Sequence, residues 1–325
     1  MAELIIKLFN DPRVNKNNAQ LIFSTHNINL MTPELLRRDQ IWFTEKQQRA
    51  TKFYSLDDFD KKKVKPQSPF NQWYAESRFE RFLTLIIIVS LNYSILQRMN
   101  MPKNVVVHPR DVKPVFHIFC EGETEENYLE RYIDRFYSGN RRLKVIKIEE
   151  TDTNTAKELV EEAIEFQKNC LAQKSCLEGD IFWVVYDRES EQKYSDKLHK
   201  MAYDKAKPKK ISIAISNVCF EVWILLHFQA TVQPYNNYDK LRTHSQLRVE
   251  YKKRCGSDYE KGSKQLFEIF TKAEIDEARI RAKRMNQNTQ KDADSKWTMP
   301  YQWNPYTNVY ELLDAIDEFA TQSKL

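Results

Sequence analysis

The chain has 325 residues, long enough for one large core or two moderate ones. Its 30% charged residues, 12% aromatics and only five glycines describe a soluble, largely helical globular protein, and the net charge of +5 permits nucleic-acid binding without arguing for it. Five cysteines with no C-x-x-C pair and no signal peptide exclude a disulfide framework, offer no convincing zinc site and point to reduced thiols in the cytoplasm.

In chain order, residues 4–9 read as a helix, 20–24 as an apolar strand and 32–38 as a second helix. Residues 40–44 pair with 52–56 as a hairpin across a charged turn. The polar, Pro- and Lys-containing stretch 61–69 looks like a boundary. The most hydrophobic run, 82–96, is shorter than the about 20 apolar residues a membrane span needs, and Thr84, Ser90, Asn92 and Ser94 interrupt it. No stable membrane insertion is expected, and the run reads as a seam. The chain thus divides into an N-terminal piece (1–76), a junction (77–112) and a main domain (113–325).

From Val115 onward the periods alternate. Strands are expected at 115–120, 143–148, 181–186 and 210–215, with helices at 124–137, 155–171, 193–206 and 219–228. This order implies an α/β fold with a mainly parallel, Rossmann-like sheet and helices on both faces. The remainder reads as a helical C-terminal extension, with 262–285 amphipathic and 308–319 opening on Asn308 as N-cap with Glu311 three residues on.

Three of these strands run into acids. Val115-Phe116-His117-Ile118-Phe119-Cys120 ends in Glu121-Gly122-Glu123-Thr124-Glu125, 181–186 ends in Asp187-Arg188-Glu189, and 210–215 leads to Glu221. Loops after parallel strands converge on one edge, so Glu121, Asp187, Glu189 and Glu221 are expected to meet there. Clustered carboxylates repel and call for a cation. Oxygen donors without His or Cys favour Mg²⁺ or Mn²⁺, a site suited to phosphodiester hydrolysis. The competing reading is that acids at helix N-termini complement the macrodipole, which suits Glu123, Thr124 and Glu125. His227 reads as a core histidine and Asn217 as a helix cap, while Asn304, Thr307 and Asn308 fix the turn into the last helix. Two basic clusters could hold phosphates: Lys193, Lys197, Lys200, Lys205, Lys207, Lys209 and Lys210, and then Arg279, Arg281, Lys283 and Arg284. A solvated helix face accounts for either one equally well.

Residues 115–319 resemble the RloB family, a Toprim-related group of bacterial restriction and phage-defence loci. The resemblance lies in Phe119-Cys120-Glu121-Gly122-Glu123-Thr124-Glu125, Val184-Val185-Tyr186-Asp187-Arg188-Glu189, the stretch from Ser216 to Phe228, and Asn304-Pro305-Tyr306-Thr307-Asn308-Val309-Tyr310. It implies Mg²⁺ binding, Glu121 as general acid/base, Asp187 and Glu189 as metal ligands, and Glu221 as a further ligand. Glu189 stands where aspartate is usual in the Toprim pattern.

The N-terminal piece is similar to the C-terminal end of RloA-type, ABC-like AAA ATPases: Gln20-Leu21-Ile22-Phe23-Ser24-Thr25-His26-Asn27 matches their last core strand and switch histidine. No glycine precedes Gly122, so a phosphate-cradling loop is lacking and ATP hydrolysis is not expected. The arrangement suggests a truncated ATPase tail joined to an RloB unit that originally began at Met99 or Met101. The function expected is a Mg²⁺-dependent nuclease acting on tRNA, other RNA or DNA as a defence effector. The alternatives are a non-catalytic partner of a defence ATPase, or a gene-fusion remnant.

Overall fold

The computed structural model describes residues 1–17, 19–47, 50–79, 84–89, 110–137, 146–149, 151 and 155–322. Two compact units form: Met1–Val115 with Cys170–Gly179, and Phe116–Asn169 with Asp180–Leu325.

In the first unit, helix α1 (Ala2–Asn10) precedes strands β1 (Leu21–Thr25), β2 (Ile41–Gln47) and β3 (Ala50–Ser55), then α2 (Phe70–Ala75) and β4 (Thr84–Val89). The strands pair antiparallel in the order β1-β4-β2-β3. The expected hairpin is β2–β3. Thr84–Val89, taken from the apolar run read as a seam, forms an inner strand, and Ile87 is fully buried. Residues 82–83 and 90–96 of that run, and the proposed start at Met99 or Met101, lie outside the described residues. The expected helix at 32–38 does not form. A single turn forms, with Leu36 N donating to Thr32 O at 2.9 Å, and the segment then ends in a short 3-10 turn at Arg38–Gln40. This unit has its own core, in which Phe79 packs against Phe43 and Phe59 and lies near Trp73. Residues 170–179 belong to it through bonds such as Trp73 Nε1 to the Ser175 carbonyl.

The second unit is built on a five-stranded sheet, β5 (Phe116–Cys120), β6 (Ile146–Glu149), β7 (Ile181–Asp187), β8 (Ile211–Asn217) and β9 (Tyr306–Thr307), in the order β6-β5-β7-β8-β9. The first four are parallel, and β9 closes the edge antiparallel to β8. Every residue of β5 is buried, as an inner parallel strand requires, whereas edge strand β6 is mostly half-buried. The flanking helices are α3 (Glu123–Tyr137), α4 (Ala156–Ala172), α5 (Asp196–Ala206) and α6 (Glu221–Phe228). A helical C-terminal part follows: α7 (Tyr238–His244), α8 (Leu247–Cys255), α9 (Lys272–Asp292) and α10 (Val309–Gln322). No described helix is long and apolar enough to cross a membrane.

Several local expectations change. The helix expected from residue 262 starts at Lys272, where Thr271 forms a capping box with Glu274; Gly262 lies in a loop at φ 72°. Asn308 does not cap with its side chain. Its Oδ1 accepts from Ile215 N at 2.7 Å and its Nδ2 donates to Ile213 O at 2.9 Å, so the amide pairs with β8 as a further strand residue would. Asn217 is no cap either: its Nδ2 donates to the Tyr301 and Trp303 carbonyls.

Candidate metal centre

Chain order reverses between β5 and β7: from β5 the chain crosses to β6 on one side, and β7 then pairs on the other. In open parallel sheets, the crevice beyond the carboxyl ends of two such strands is where ligands bind. Glu121 directly follows β5 and Asp187 is the last residue of β7. They are joined there, since Glu121 N donates to Val185 O at 3.0 Å and Asp187 N donates to Glu121 Oε2 at 2.9 Å.

Glu221 opens α6, just past β8, fully buried. Its Oε1 accepts from Tyr259 Oη at 2.9 Å, while Lys261 Nζ stands 3.7 Å from Oε2. The fourth carboxylate is Glu125. Sequence reasoning assigned it to the helix N-terminus, yet it is buried and faces the same charges. These four, with Glu189 and Lys261, line one cleft of about 390 Å³. Glu189 stands nearer its rim, at φ 58°, with Lys193 Nζ 2.8 Å from Oε1. Buried Arg188 holds that turn by donating to Tyr301 O, Glu189 O, Tyr194 O and Asp196 Oδ1. Glu123 and Thr124 do begin α3. Thr124 Oγ1 also accepts from Gly262 N, and Asn127 donates to Gly262 O, each at 2.9 Å, which anchors the Lys261 loop to the helix.

The electrostatics follow from burial and crowding. Burial foremost, then Glu189, pushes Glu121 up to about 7, although the Asp187 amide pulls the other way. Burial, then Glu221 and Glu121, pushes Glu125 to about 8. Asp187 is raised well above the carboxylate range by burial, Glu125, Glu221 and Glu121. Burial works against the Lys261 ammonium, but Glu221 and Asp187 outweigh it and raise its pKa.

A hard divalent cation fits this donor set. Asp187 Oδ1 and Glu221 Oε2 are buried without a hydrogen-bond partner among the described residues, and the described acidic side chains of the cleft offer hard oxygen donors with no His or Cys beside them. The carboxylates share a cleft without forming a closed shell: among the described residues, no three Asp, Glu, His or Cys side chains stand in coordinating arrangement.

Other singled-out residues lie elsewhere. His227 is a core histidine, between Tyr128 Oη at 2.9 Å and the Trp223 carbonyl at 3.0 Å, its pKa lowered to about 3, chiefly by burial. Thr307 Oγ1 bonds Ser216 Oγ at 2.8 Å, and Asn304 exchanges bonds with the Tyr235 backbone. His26 is exposed. The second basic cluster is largely consumed internally: Arg279 pairs with Asp314 and Asp317, Arg281 donates to the Leu226 and His227 carbonyls, and Lys283 pairs with Asp314.

The profile of the RloB-like protein family matches residues 116–316. The chain belongs to the RloB-like family. The match spans the whole acidic edge of this RloB-like domain, from β5 into α10. It begins after the N-terminal unit, and nothing in the comparisons supports the ATPase resemblance of residues 1–76. No curated protein and no solved structure matches the chain.

Proposed function

We propose that the RloB-like domain is a Mg²⁺- or Mn²⁺-dependent nuclease. The observation that carries this reading is the convergence of Glu121, Glu125, Asp187 and Glu221 at the switch point of a parallel sheet, with two buried carboxylate oxygens unpartnered among the described residues. Asp187, Glu121 and Glu221 would hold the cation, with Glu189 and Glu125 within the same cleft. The ion would polarise a phosphoryl oxygen and offset the charge developing on it. Without metal, burial raises Glu121 to about 7; beside the cation it would be held as a carboxylate, able to orient an attacking water and accept its proton. Exposed Lys197, Lys207, Lys209 and Lys210, at and beyond α5, are available for salt-dependent contacts with a nucleic-acid backbone.

Action as an effector of phage defence, alongside an ATPase partner, follows from the family resemblance. A non-catalytic role beside such a partner is the second reading, favoured by the lack of a ready-formed coordination shell among the described residues. Incubating the protein with labelled tRNA, other RNA and plasmid in Mg²⁺, Mn²⁺ or EDTA separates them. Cleavage that requires metal and is lost in Glu121→Gln and Asp187→Asn supports the nuclease; metal-dependent cleavage unchanged in both variants rules out this site.

A further inference from the structure

The cleft already contains two lysines, Lys193 on Glu189 and Lys261 beside Glu221, and Lys261 is the one set against the buried carboxylates. It belongs to no motif: it lies in the loop between α8 and α9, 40 residues beyond Glu221 in sequence. Three contacts bring it there. Gly262 is held to α3 from both sides of its peptide, by Thr124 Oγ1 and Asn127 Nδ2. Its φ of 72° and its closeness to Glu123, whose Oε2 would stand 2.8 Å from a Cβ, favour glycine. Tyr259, two residues before Lys261, donates to Glu221 Oε1. The backbone on both sides of Lys261 is therefore fixed to elements that carry the carboxylates.

The ammonium itself is held less firmly. It stands 3.7 Å from Glu221 Oε2, longer than a hydrogen bond, with the Tyr238 ring centroid at 4.4 Å, and the side chain is 43% exposed. The carboxylate below is buried, with its Oε2 lacking a hydrogen-bond partner among the described residues. A partly exposed ammonium, not hydrogen-bonded to Glu221, thus faces the converging carboxylates.

We propose that Lys261 is a resident counter-ion that a divalent cation displaces. It holds the acidic cleft together before metal arrives, and competes with metal for Glu221 and Asp187. This rests on the metal-site reading above, and makes that site a switch between a lysine-closed and a metal-loaded state. Two cations cannot share the same carboxylate oxygens at close range without mutual repulsion, so the coupling between ammonium and metal is unfavourable and reciprocal.

The test is a metal titration of thermal stability on the full chain, comparing wild type, Lys261→Met and Lys261→Arg, with circular dichroism to confirm folding. Lys261→Met should melt lower than wild type in EDTA, gain more from Mg²⁺ or Mn²⁺, and reach half-saturation at a roughly fivefold or more lower metal concentration. Lys261→Arg should stay close to wild type. Should Lys261→Met fail to fold, Lys261→Gln carries the same comparison. If wild type responds to metal but the neutral variant saturates at the same or a higher concentration, the counter-ion proposal is overturned and the metal site stands. If no folded form responds to either metal, the metal site falls and the proposal with it.

Discussion

Burial, with repulsion from neighbouring carboxylates added to it, sets the protonation of the cleft around Glu121, Glu125 and Asp187, and therefore its stability. Glu125 is raised to about 8 and Glu121 to about 7, burial leading in both, against about 4.3 for an unfolded glutamate. Between these values the folded chain holds protons that the unfolded chain has released. The stabilisation from these groups is therefore complete below the unfolded pKa and is lost as pH rises through about 7 to 8. Urea unfolding in EDTA should show this decline, with Glu125→Gln flattening it and exceeding wild type by about 1–2 kcal/mol at the alkaline end. A metal-free wild type that gains stability across this window would contradict the clustering. For catalysis, Asp187→Asn should lower the cleavage rate by roughly 100-fold or more while leaving the melting temperature equal or higher, since a buried amide avoids the ionisation that burial and crowding disfavour at Asp187.

At the scale of elements, the motifs are placed by bonds that no periodicity announces. The Asn308 amide satisfies two backbone groups of β8, the strand that leads to Glu221. Asn308→Ala should cost about 2–3 kcal/mol in unfolding free energy by stranding both groups, and a loss under about 0.5 kcal/mol would make that pairing incidental. Arg279 bonds Asp314, Asp317 and Tyr132 Oη. Arg279→Ala should therefore act on stability, by about 2–4 kcal/mol, with the salt dependence of nucleic-acid binding unchanged. A selective loss of binding at full stability would restore the phosphate-contact reading of that cluster. Strands β5 and β7 were legible because each is a short apolar run leading into an acid, the pattern of an inner strand at a functional edge. The two-residue β9 was not, being too short to show a period. Glu125 escaped because an acid in the first turn of a helix has an adequate local explanation, and Lys261 because only tertiary contacts bring its loop to the cleft.

At the scale of the molecule, the first unit draws residues 170–179 from the far side of β5 in sequence. A fragment beginning at Met101 removes Trp73, which bonds the Ser175 carbonyl, and the core against which Leu177 packs. Such a fragment should melt lower than the full chain and aggregate more readily; equal solubility and stability would mean that the N-terminal unit is dispensable to the fold. The central claim is that the acidic edge of the RloB-like domain cleaves phosphodiesters with a divalent metal. Its most direct test is cleavage of labelled tRNA and plasmid by the purified full chain, wild type against Asp187→Asn, in Mg²⁺, Mn²⁺ and EDTA. The account predicts cleavage of at least one substrate with metal, none in EDTA, and loss in the folded variant. Cleavage that survives both EDTA and Asp187→Asn, or a metal-loaded wild type that cuts neither substrate, would contradict it.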